Sequence, residues 1–530
     1  MDSNRAALRA ARPLGLALLP LAAVALFIAA PLWALLTEGL QPASWDTLVA
    51  GSTWRVMGYT TAQALVSTAL SIGLALPVAF ALYRLSIPGR RIWLALITIP
   101  FVLPTVVVGL AFRELLPFAG TTWAIIVAHV FFNVGLAVRV IGAVWGQLDG
   151  RLGEVAASLG ASAFARFRLI TWPLLRPAIT AASVLVFMFT FTSFGVVLVV
   201  GDPALPTIEV EIYQRAIQRL DLDAAAALAI LQLVVVVFTL GLASRLQQRL
   251  SVVGVVADVS RRERPRGTGD YLAVSIAVFV AVAVILPIAQ LVATSLQVGD
   301  SWGLTWYAEA FAPSDNTTRA TPVSEALWIS ARYAVVATMI ALVLGMLAAI
   351  SVTHLKRGQA TLDTIVTLPL GISAVSIGLG LLLLSIGGPL DLRGWWLLVP
   401  LGQALVAMPI VVRVVLPVLR SIDPRLRDVA ASLGARPIRV WLTVDGPLAL
   451  RAAAVAGALS AAVSLGEFGA TAFLARADTP TVPVQIVRLL SRPGEANLGQ
   501  AAVLSVILVI VTATVVGVAE RARPSKSTGW

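Results

Sequence analysis

The polar residues that could do chemistry are few, and each lies inside a long apolar run. They are His129, Asn133, Ser193, Gln403 and Glu467, with Thr190 and Thr192 close by. Glu467 stands among small residues in SAAVSLGEFGATAF, where a carboxylate could attract a cationic ligand or instead form a hydrogen bond or ion pair between helices. The position of His129 favours a hydrogen bond in helix packing over a role as a ligand.

Catalytic, metal and nucleotide sites are not indicated by the sequence. No His–carboxylate or Ser–Lys arrangement stands at a useful spacing, and the phosphate-binding pattern G-x-x-x-x-G-K-[ST] is absent. The chain has no cysteine and two histidines, His129 and His354, which excludes disulfides, thiolate ligands and a histidine-rich metal site. The sequence therefore predicts a protein that is not an enzyme and that carries no metal or cofactor of its own.

A charged twelve-residue stretch occurs twice in this otherwise apolar chain. DGRLGEVAASLG begins at Asp149, and DPRLRDVAASLG begins 274 residues later at Asp423, with nine of the twelve letters identical. Three apolar residues of the first copy have the spacing of one helical face: Leu152, Val155 and Leu159. Gly160 and Gly434 stand where a helix would end. Each copy predicts a short amphipathic helix suited to a soluble partner, or alternatively to the membrane surface.

The composition indicates an integral membrane protein. Of the 530 residues, 58% are hydrophobic and 12% are charged, and the mean hydropathy is +0.91. Soluble domains average roughly 25% charged residues, so this chain has too few polar side chains to cover an aqueous surface. The net charge is +12, but the Lys and Arg residues are scattered between apolar runs. No nucleic-acid partner is therefore predicted.

About twelve apolar runs are long enough to cross a bilayer, which needs roughly 20 residues per helix. They lie near 14–37, 58–83, 92–112, 122–146, 178–200, 225–245, 271–293, 327–353, 362–386, 395–418, 452–474 and 498–519. Lys and Arg concentrate in alternate loops, including RRERPR at 261–266, while several of the opposite loops hold acidic residues. Because cytoplasmic loops carry the excess of basic residues, both termini and both charged stretches are predicted to be cytoplasmic.

The repeat extends beyond the charged stretch and divides the chain into two halves. At the same offset, PTIEVEIYQ from Pro206 aligns with PTVPVQIVR from Pro480. The predicted segments are the first half at 1–250 with its charged loop at 147–177, a basic cytoplasmic linker at 251–270, and the second half at 271–530 with its charged loop at 421–451. Six spans in each half give a parallel repeat, with a pseudo-twofold axis along the membrane normal.

The first charged loop resembles the EAA motif of ABC importer permeases. EVAASLGASAFARFRLITWPLLRP fills that motif with Glu154, Ala156, Gly160, Ile170 and Pro173. The second loop, DVAASLGARPIRVWLTVDGPLAL, departs from it at Asp428 and Val444. The resemblance covers nearly the whole chain, and fused permeases of this size resemble the thiamine and ferric-iron importers. GEFGAT also resembles a stretch of oxyanion-importer permeases.

The resemblance implies a type I permease in a bacterial inner membrane, served by two copies of an ATPase that binds ATP and Mg, and by an extracytoplasmic solute-binding protein. The coupling residues that it implies are Glu154, Ala156, Ala157, Gly160, Asp428, Ala430, Ala431 and Gly434. The polar residues of the spans would line an alternating-access pathway for thiamine or a thiamine phosphate, or alternatively for ferric iron or another small solute. An ion-gradient-driven secondary transporter is the alternative of another class, although carboxylates for ion coupling are scarce in the spans.

Overall fold

The computed structural model describes residues 26–250, 262–312, 322–354, 372–387, 392 and 394–522. The helices up to residue 250 are α1 (Leu26–Gly39), α2 (Pro42–Val49), α3 (Gly51–Arg84), α4 (Arg90–Thr98), α5 (Thr105–Leu115), α6 (Thr122–Trp145), α7 (Gly150–Ser158), α8 (Ala163–Arg166), α9 (Trp172–Phe191), α10 (Gly195–Val200), α11 (Ile208–Tyr213) and α12 (Leu222–Leu250). Parts of the predicted spans at 14–37 and 362–386, and part of the predicted linker, lie outside the described residues.

The remaining described residues are also mostly helical. Their helices are α13 (Thr268–Leu296), α14 (Thr305–Phe311), α15 (Val323–His354), α16 (Ala374–Gly387), α17 (Leu398–Arg420), α18 (Pro424–Ser432), α19 (Pro437–Val440), α20 (Gly446–Gly466), α21 (Thr471–Leu474), α22 (Val482–Leu490) and α23 (Glu495–Ala522). Two short antiparallel strands, β1 (Gln297–Val298) and β2 (Ser301–Trp302), form a hairpin between α13 and α14.

Nine helices in the described part of the chain are long and apolar enough to cross a membrane, or ten if one bent pair counts as a span. The nine are Gly51–Arg84, Thr122–Trp145, Phe164–Phe191, Leu222–Leu242, Thr268–Leu296, Val323–Thr353, Leu398–Arg420, Ile438–Gly466 and Glu495–Ala519. Two shorter apolar helices are α1 and Ala374–Ile386. The all-helical, multi-pass membrane architecture is confirmed, whereas the count of twelve spans and the pseudo-twofold axis stay predictions.

The predicted span at 92–112 is a bent pair of helices. After α4 and the 3₁₀ turn Ile99–Val102, the axis turns by 103° before α5. Leu103 and Pro104 have extended backbone at the bend. Proline has no amide hydrogen, and the residue before it is disfavoured in helical conformation, so the helix ends here although the sequence stays apolar.

The predicted spans at 178–200 and 452–474 are both interrupted. Three residues separate α9 from α10, and four separate α20 from α21. At each break a glycine allows close approach of another helix. A Cβ on Gly195 would lie 2.4 Å from the Oγ1 of Thr105 in α5. A Cβ on Gly469 would lie 2.7 Å from the Cβ of Ala374 in α16. The chain therefore leaves the helix, next to a close helix contact, where hydropathy alone indicates continuity.

The described chain folds as two compact units. One contains Val49–Glu211 and Leu231–Thr294, and the other contains the described residues within Met1–Leu48, Ile212–Ile230 and Ser295–Lys526. Each unit therefore combines segments that are distant in sequence. α1 folds with the unit that contains Ser295–Lys526, and most of α13 folds with the unit that contains Val49–Glu211. The boundaries of the predicted repeat, at 250 and 270, stay a prediction.

The core of the first unit, named the 49–294 unit below although it excludes Ile212–Ile230, is packed from α3, α6, α9 and α13. Ala75, Ile141, Leu175 and Ala281 contribute one fully buried side chain from each of these helices. A Cβ on Gly135 of α6 would lie only 2.1 Å from a backbone oxygen at the end of α4. Small residues at such crossings let membrane helices approach closely, which is the main source of packing energy where lipid replaces water.

The other unit is packed in the same way around α15, α17 and α20. A Cβ on Gly345 would lie 2.7 Å from the Cβ of Val411, so α15 and α17 touch through a glycine. A Cβ on Gly380 of α16 would lie 2.5 Å from the carbonyl oxygen of Pro31. That contact places α1 against α16 within this unit.

Candidate functional site

The two charged loops have the same structure at the start of their helices. α7 and α18 each contain nine residues and begin after an aspartate. The Asp149 Oδ1 accepts a hydrogen bond from the backbone amide of Arg151 at 2.9 Å, and the Asp423 Oδ1 accepts one from that of Arg425 at 2.9 Å. Each bond satisfies an amide that the start of a helix leaves open. The predicted short helix is confirmed in both loops.

The first loop ends its helix in a Schellman motif. Gly160 follows α7 with a φ of +83°, in the left-handed region that glycine adopts without steric cost. Its amide donates to the carbonyl of Ala157 at 3.0 Å, and the amide of Ala161 donates to the carbonyl of Ala156 at 2.9 Å. This pair of bonds defines the motif and satisfies carbonyls at the helix end.

The second loop repeats this motif bond for bond. Gly434 has a φ of +83°, its amide donates to Ala431 at 3.0 Å, and the amide of Ala435 donates to Ala430 at 3.1 Å. Four of the eight predicted coupling residues therefore supply the carbonyls of the two helix ends, and two more are the glycines that turn the chain.

Alanine at either turning glycine is expected to loosen the helix end. We expect Gly160→Ala to speed hydrogen exchange in the last turn of α7 about fivefold, because left-handed alanine costs about 1 kcal/mol. No atom lies within 4 Å of the added Cβ, so the cost is conformational alone. Exchange mass spectrometry of the detergent-solubilised chain measures it. Gly153→Ala, inside α7 and equally uncrowded, is the control and should slow exchange. Unchanged exchange in Gly160→Ala would contradict the strain argument.

Each short helix also presents an uncovered row of apolar side chains. The exposed fractions are 50% for Leu152, 59% for Val155 and 82% for Leu159, and 54% for Leu426, 57% for Val429 and 82% for Leu433. Isolated exposed apolar residues are ordinary, but two matching rows at repeated positions indicate a binding surface. These rows join the predicted coupling residues as the candidate contact surface.

The acidic residues of the loops lie on the same exposed helices. Glu154 and Asp428 are exposed, as are Ala157 and Ala431, whereas Ala156 and Ala430 are half-buried. Carboxylates beside an apolar row give a surface that can combine apolar burial with charged contacts at its rim. The coupling role of these residues stays a prediction.

A π-helical turn connects each loop to its membrane helix. The turns are Phe167–Thr171 before α9 and Trp441–Asp445 before α20. In each, the amide after the turn donates to a carbonyl five residues earlier, which leaves one extra residue in the turn. The sequence did not predict these turns, since no composition or spacing distinguishes them from ordinary helix.

Two of the predicted pathway residues of the 49–294 unit, His129 and Asn133, belong to a buried polar cluster. The Nδ1 of His129 lies 3.1 Å from the Gln63 Oε1 and 3.4 Å from the Ser67 Oγ. The Gln63 Nε2 donates to the carbonyl of Thr190 at 3.3 Å, and the Asn133 Nδ2 donates to the carbonyl of His129 at 2.9 Å. These five residues are buried, and together they link α3, α6 and α9. Gln63 and Ser67 were missed because they stand among several other polar residues of α3, and nothing in the sequence distinguishes them.

Gln403 holds the matching position in the other unit, 274 residues after His129. It is buried, and within the described residues its Oε1 has no hydrogen-bond partner. The same is true of the Oγ atoms of Ser460 and Ser464 in α20. Ser464 in turn matches Thr190. Polar side chains therefore occupy equivalent sequence positions in the two halves, but their hydrogen bonds differ.

Glu467 caps a helix within its own unit. Its side chain is buried in the break between α20 and α21, and its Oε1 accepts from the amide of Ala470 at 2.7 Å. The Oε2 accepts from the amide of Thr471 at 3.0 Å and from the Thr471 hydroxyl. A carboxylate at the start of a helix satisfies open amides and interacts favourably with the helix dipole. These bonds are local, to residues three and four positions later, so they show a helix cap rather than the predicted hydrogen bond or ion pair between helices.

Ser193 lies in the corresponding break between α9 and α10, where it is half-buried. His129 and Asn133 are joined by a hydrogen bond, whereas Gln403 and Glu467 belong to the other compact unit. Among the described residues, no group of three or more His, Asp and Glu side chains is placed to hold a metal ion. The pathway role of these residues stays a prediction.

Three buried carboxylates among the described residues were not selected from the sequence: Glu209, Glu211 and Asp445. Glu209 of α11 is fully buried, and the Gln232 Nε2 donates to its Oε1. The neighbouring amide of Ile208 donates to the Thr60 Oγ1 at 2.9 Å, which fastens the segment to α3. The acidic residues of this segment were counted with those of the loops opposite the basic ones.

Comparison with known proteins agrees with this architecture. The family model for binding-protein-dependent transport system inner membrane components matches residues 71–252, which include the first charged loop. The thiamine transport system permease protein ThiP of Brucella abortus (strain 2308) is 31% identical over 512 residues, covering 91% of this chain and 90% of the relative. The protein of the same name from Salmonella typhimurium (strain LT2) is 28% identical over 538 residues, covering 94% and 95%.

A shorter relative matches part of the chain. The molybdenum transport system permease protein ModB of Escherichia coli (strain K12) is 33% identical over 171 residues, covering 29% of this chain and 74% of the relative. The long relatives, in contrast, align with both charged loops, and the family model accounts for the first loop and its flanking spans. These similarities, together with the apolar helical fold, identify the family. The chain belongs to the binding-protein-dependent transport system inner membrane components and is a fused permease of the ABC importer type.

Proposed function

We propose that this permease imports thiamine or a thiamine phosphate at the expense of ATP hydrolysed by a separate subunit. Relatives named as thiamine permeases align with 91%, 94% and 86% of the chain. The alignment therefore extends over both halves rather than over one shared module. Similarity of that extent favours the same solute over the one transported by the shorter molybdenum relative.

The observation that carries the ATP-driven mechanism is the matched pair of exposed helices. α7 and α18 share their caps, their Schellman ends and the exposure of Leu159 and Leu433. In this proposal each helix docks in a groove of one ATPase copy, so that two copies bind the chain. Closure of the ATPase pair then displaces both loops and changes which side of the membrane the pathway faces.

The coupling contacts follow from the chemistry of the loops. The proposed residues are Glu154, Ala156, Ala157, Gly160, Asp428, Ala430, Ala431 and Gly434. The carboxylates contact charged groups of the ATPase, the alanines allow close approach, and the glycines fix the helix ends. ATP and Mg are bound by the ATPase copies, because this sequence has no phosphate-binding loop.

The proposed orientation places both termini in the cytoplasm, together with α7, α18 and the basic segment 261–266. The excess of Lys and Arg in these regions supports it. A solute-binding protein then delivers the solute to the opposite face. His129, Asn133, Ser193 and Gln403 are the proposed pathway residues, and Glu467 contributes by holding the break between α20 and α21.

Reconstitution tests this function. The chain, its ATPase and its binding protein are inserted in proteoliposomes, and uptake of radiolabelled thiamine is measured. We expect uptake that needs both ATP and the binding protein, that a non-hydrolysable ATP analogue does not support, and that ionophores leave unchanged. Uptake driven by an ion gradient without ATP would identify a secondary transporter instead. ATP-dependent uptake of ferric iron but not thiamine would overturn the proposed solute.

A further inference from the structure

The two charged loops differ in one contact that joins a loop to its membrane helix. In the second loop, the Arg427 Nε donates to the Asp445 Oδ1 at 2.9 Å and lies 3.1 Å from the Oδ2. The positions 274 residues earlier hold Gly153 and Thr171, which carry no charge. The first loop therefore cannot form this ion pair, although its caps and its π-helical turn match those of the second.

The ion pair is partly buried, which makes it more than a loose surface contact. The side chain of Asp445 is 6% exposed, and that of Arg427 is 34% exposed. A charge-assisted bond to a carboxylate that water barely reaches is stronger than an exposed pair. Removal of Arg427 alone would leave the buried Asp445 carboxylate without this cation. An uncompensated buried charge destabilises a protein more than removal of both partners does.

The ion pair connects the short helix of the second loop to a membrane helix. Arg427 is inside α18, the helix with the exposed apolar row. Asp445 is the last residue of the π-helical turn, directly before α20. The pair therefore fastens the middle of the short helix to the base of a membrane helix, in addition to the connecting backbone.

In the first loop, the corresponding space is a small polar cleft. Arg84, Asp149, Gly153, Arg166 and Thr171 are among the residues that line it. There the Arg84 Nη1 donates to the carbonyl of Leu148 at 3.0 Å, before α7 begins. This bond fixes the entry to the loop, whereas the residues at the two positions of the ion pair, Gly153 of α7 and Thr171 of the π-helical turn, carry no charge.

We infer that Arg427 and Asp445 are positioning residues that make α18 move as one body with α20, so that the second loop transmits ATPase motion more rigidly than the first. This inference rests on the proposed function for its transport consequence. Its structural part, the fastening of α18, is independent of the solute and of ATP.

Two measurements on the full chain test it. In the first, hydrogen exchange of α18 is compared between the wild type and Asp445→Asn, Arg427→Gln and the double variant. We expect each single change to speed exchange in α18 about threefold, and the double variant to add little, because both singles remove the same bond. Arg427→Lys, which keeps the positive charge, should restore part of the protection. Thr171→Asn is the matched control in the first loop and should leave exchange of α7 unchanged.

In the second measurement, the complex with ATPase and binding protein is reconstituted, and thiamine uptake per ATP hydrolysed is recorded. We expect Asp445→Asn to lower that ratio about threefold, and Thr171→Asn to leave it unchanged. Unchanged exchange and an unchanged ratio in Asp445→Asn, or additive effects in the double variant, would overturn the inference. If the wild type takes up no thiamine, the proposed function fails, and the exchange measurement still decides the positioning role.

Discussion

Replacement of Leu159 and Leu433 together by aspartate is expected to weaken ATPase binding by roughly 100-fold or more. Both side chains are 82% exposed, so neither contributes to the core of the permease and the fold should survive. In a docked interface each leucine would be buried, and a carboxylate in its place would lose its hydration without a partner. Titration of the labelled ATPase against the permease in detergent or nanodiscs measures the loss.

Leu220→Asp is the control for this result. Leu220 is 79% exposed and lies outside both charged loops. It has a φ of +56°, a conformation that aspartate tolerates better than leucine, so the change adds no backbone strain. We expect ATPase affinity to stay unchanged in this variant. Wild-type affinity in the double aspartate variant would refute docking through α7 and α18.

Glu467→Ala is expected to destabilise the permease by about 3 kcal/mol. The change removes the acceptor for the amides of Ala470 and Thr471 and for the Thr471 hydroxyl, all in a buried break. Buried donors without an acceptor lose the hydration that they have in the unfolded chain. The midpoint of thermal unfolding in detergent, followed by tryptophan fluorescence, should fall clearly below that of the wild type.

The equivalent position of the first half provides the control. Ser193 lies 274 residues before Glu467 and is half-buried in the matching break, so Ser193→Ala should change the midpoint little. Glu467→Gln separates the two roles considered for the carboxylate. A variant that keeps wild-type stability but loses thiamine uptake would show that the charge acts on the solute rather than on the helix start.

The charged loops could be predicted in detail because their determinants are local. Asp149, the spacing from Leu152 to Leu159, and Gly160 fall within twelve consecutive letters, and the second copy repeats them. The capping aspartate, the apolar face and the terminating glycine all indicate a helix with the same bounds. Such agreement between local signals lets a sequence specify its structure. The two-half organisation was predicted from the same repetition, and the resemblance to the EAA motif then implied a fused permease.

The interruptions of the spans could not be predicted from hydropathy. A hydropathy window reports composition, whereas the breaks depend on Pro104 and on close packing at Gly195 and Gly469. Those contacts join segments far apart in the chain. The π-helical turns are determined by hydrogen-bond register, which the letters Phe167–Thr171 do not reveal.

The buried polar residues show a different limit of sequence analysis. Glu467 was selected because an intramembrane carboxylate is costly and often functional, but helix capping is a second way to offset that cost. Glu209 was passed over because its acidic neighbours indicated a loop, although it is fully buried. The donor to Glu209 lies on another helix, at Gln232, so its environment depends on tertiary packing, whereas the donors to Glu467 are only three and four residues away.

Site-directed cross-linking tests the central claim, that both loops dock on an ATPase. The chain contains no cysteine, so Leu159→Cys and Leu433→Cys each give a unique thiol. In inside-out vesicles that contain the assembled transporter, a short bifunctional maleimide should join each variant to an ATPase carrying cysteines around its docking groove. Leu220→Cys should give no such product. If neither loop cysteine cross-links, or if only one does, the claim that two matched helices receive the ATPase is wrong.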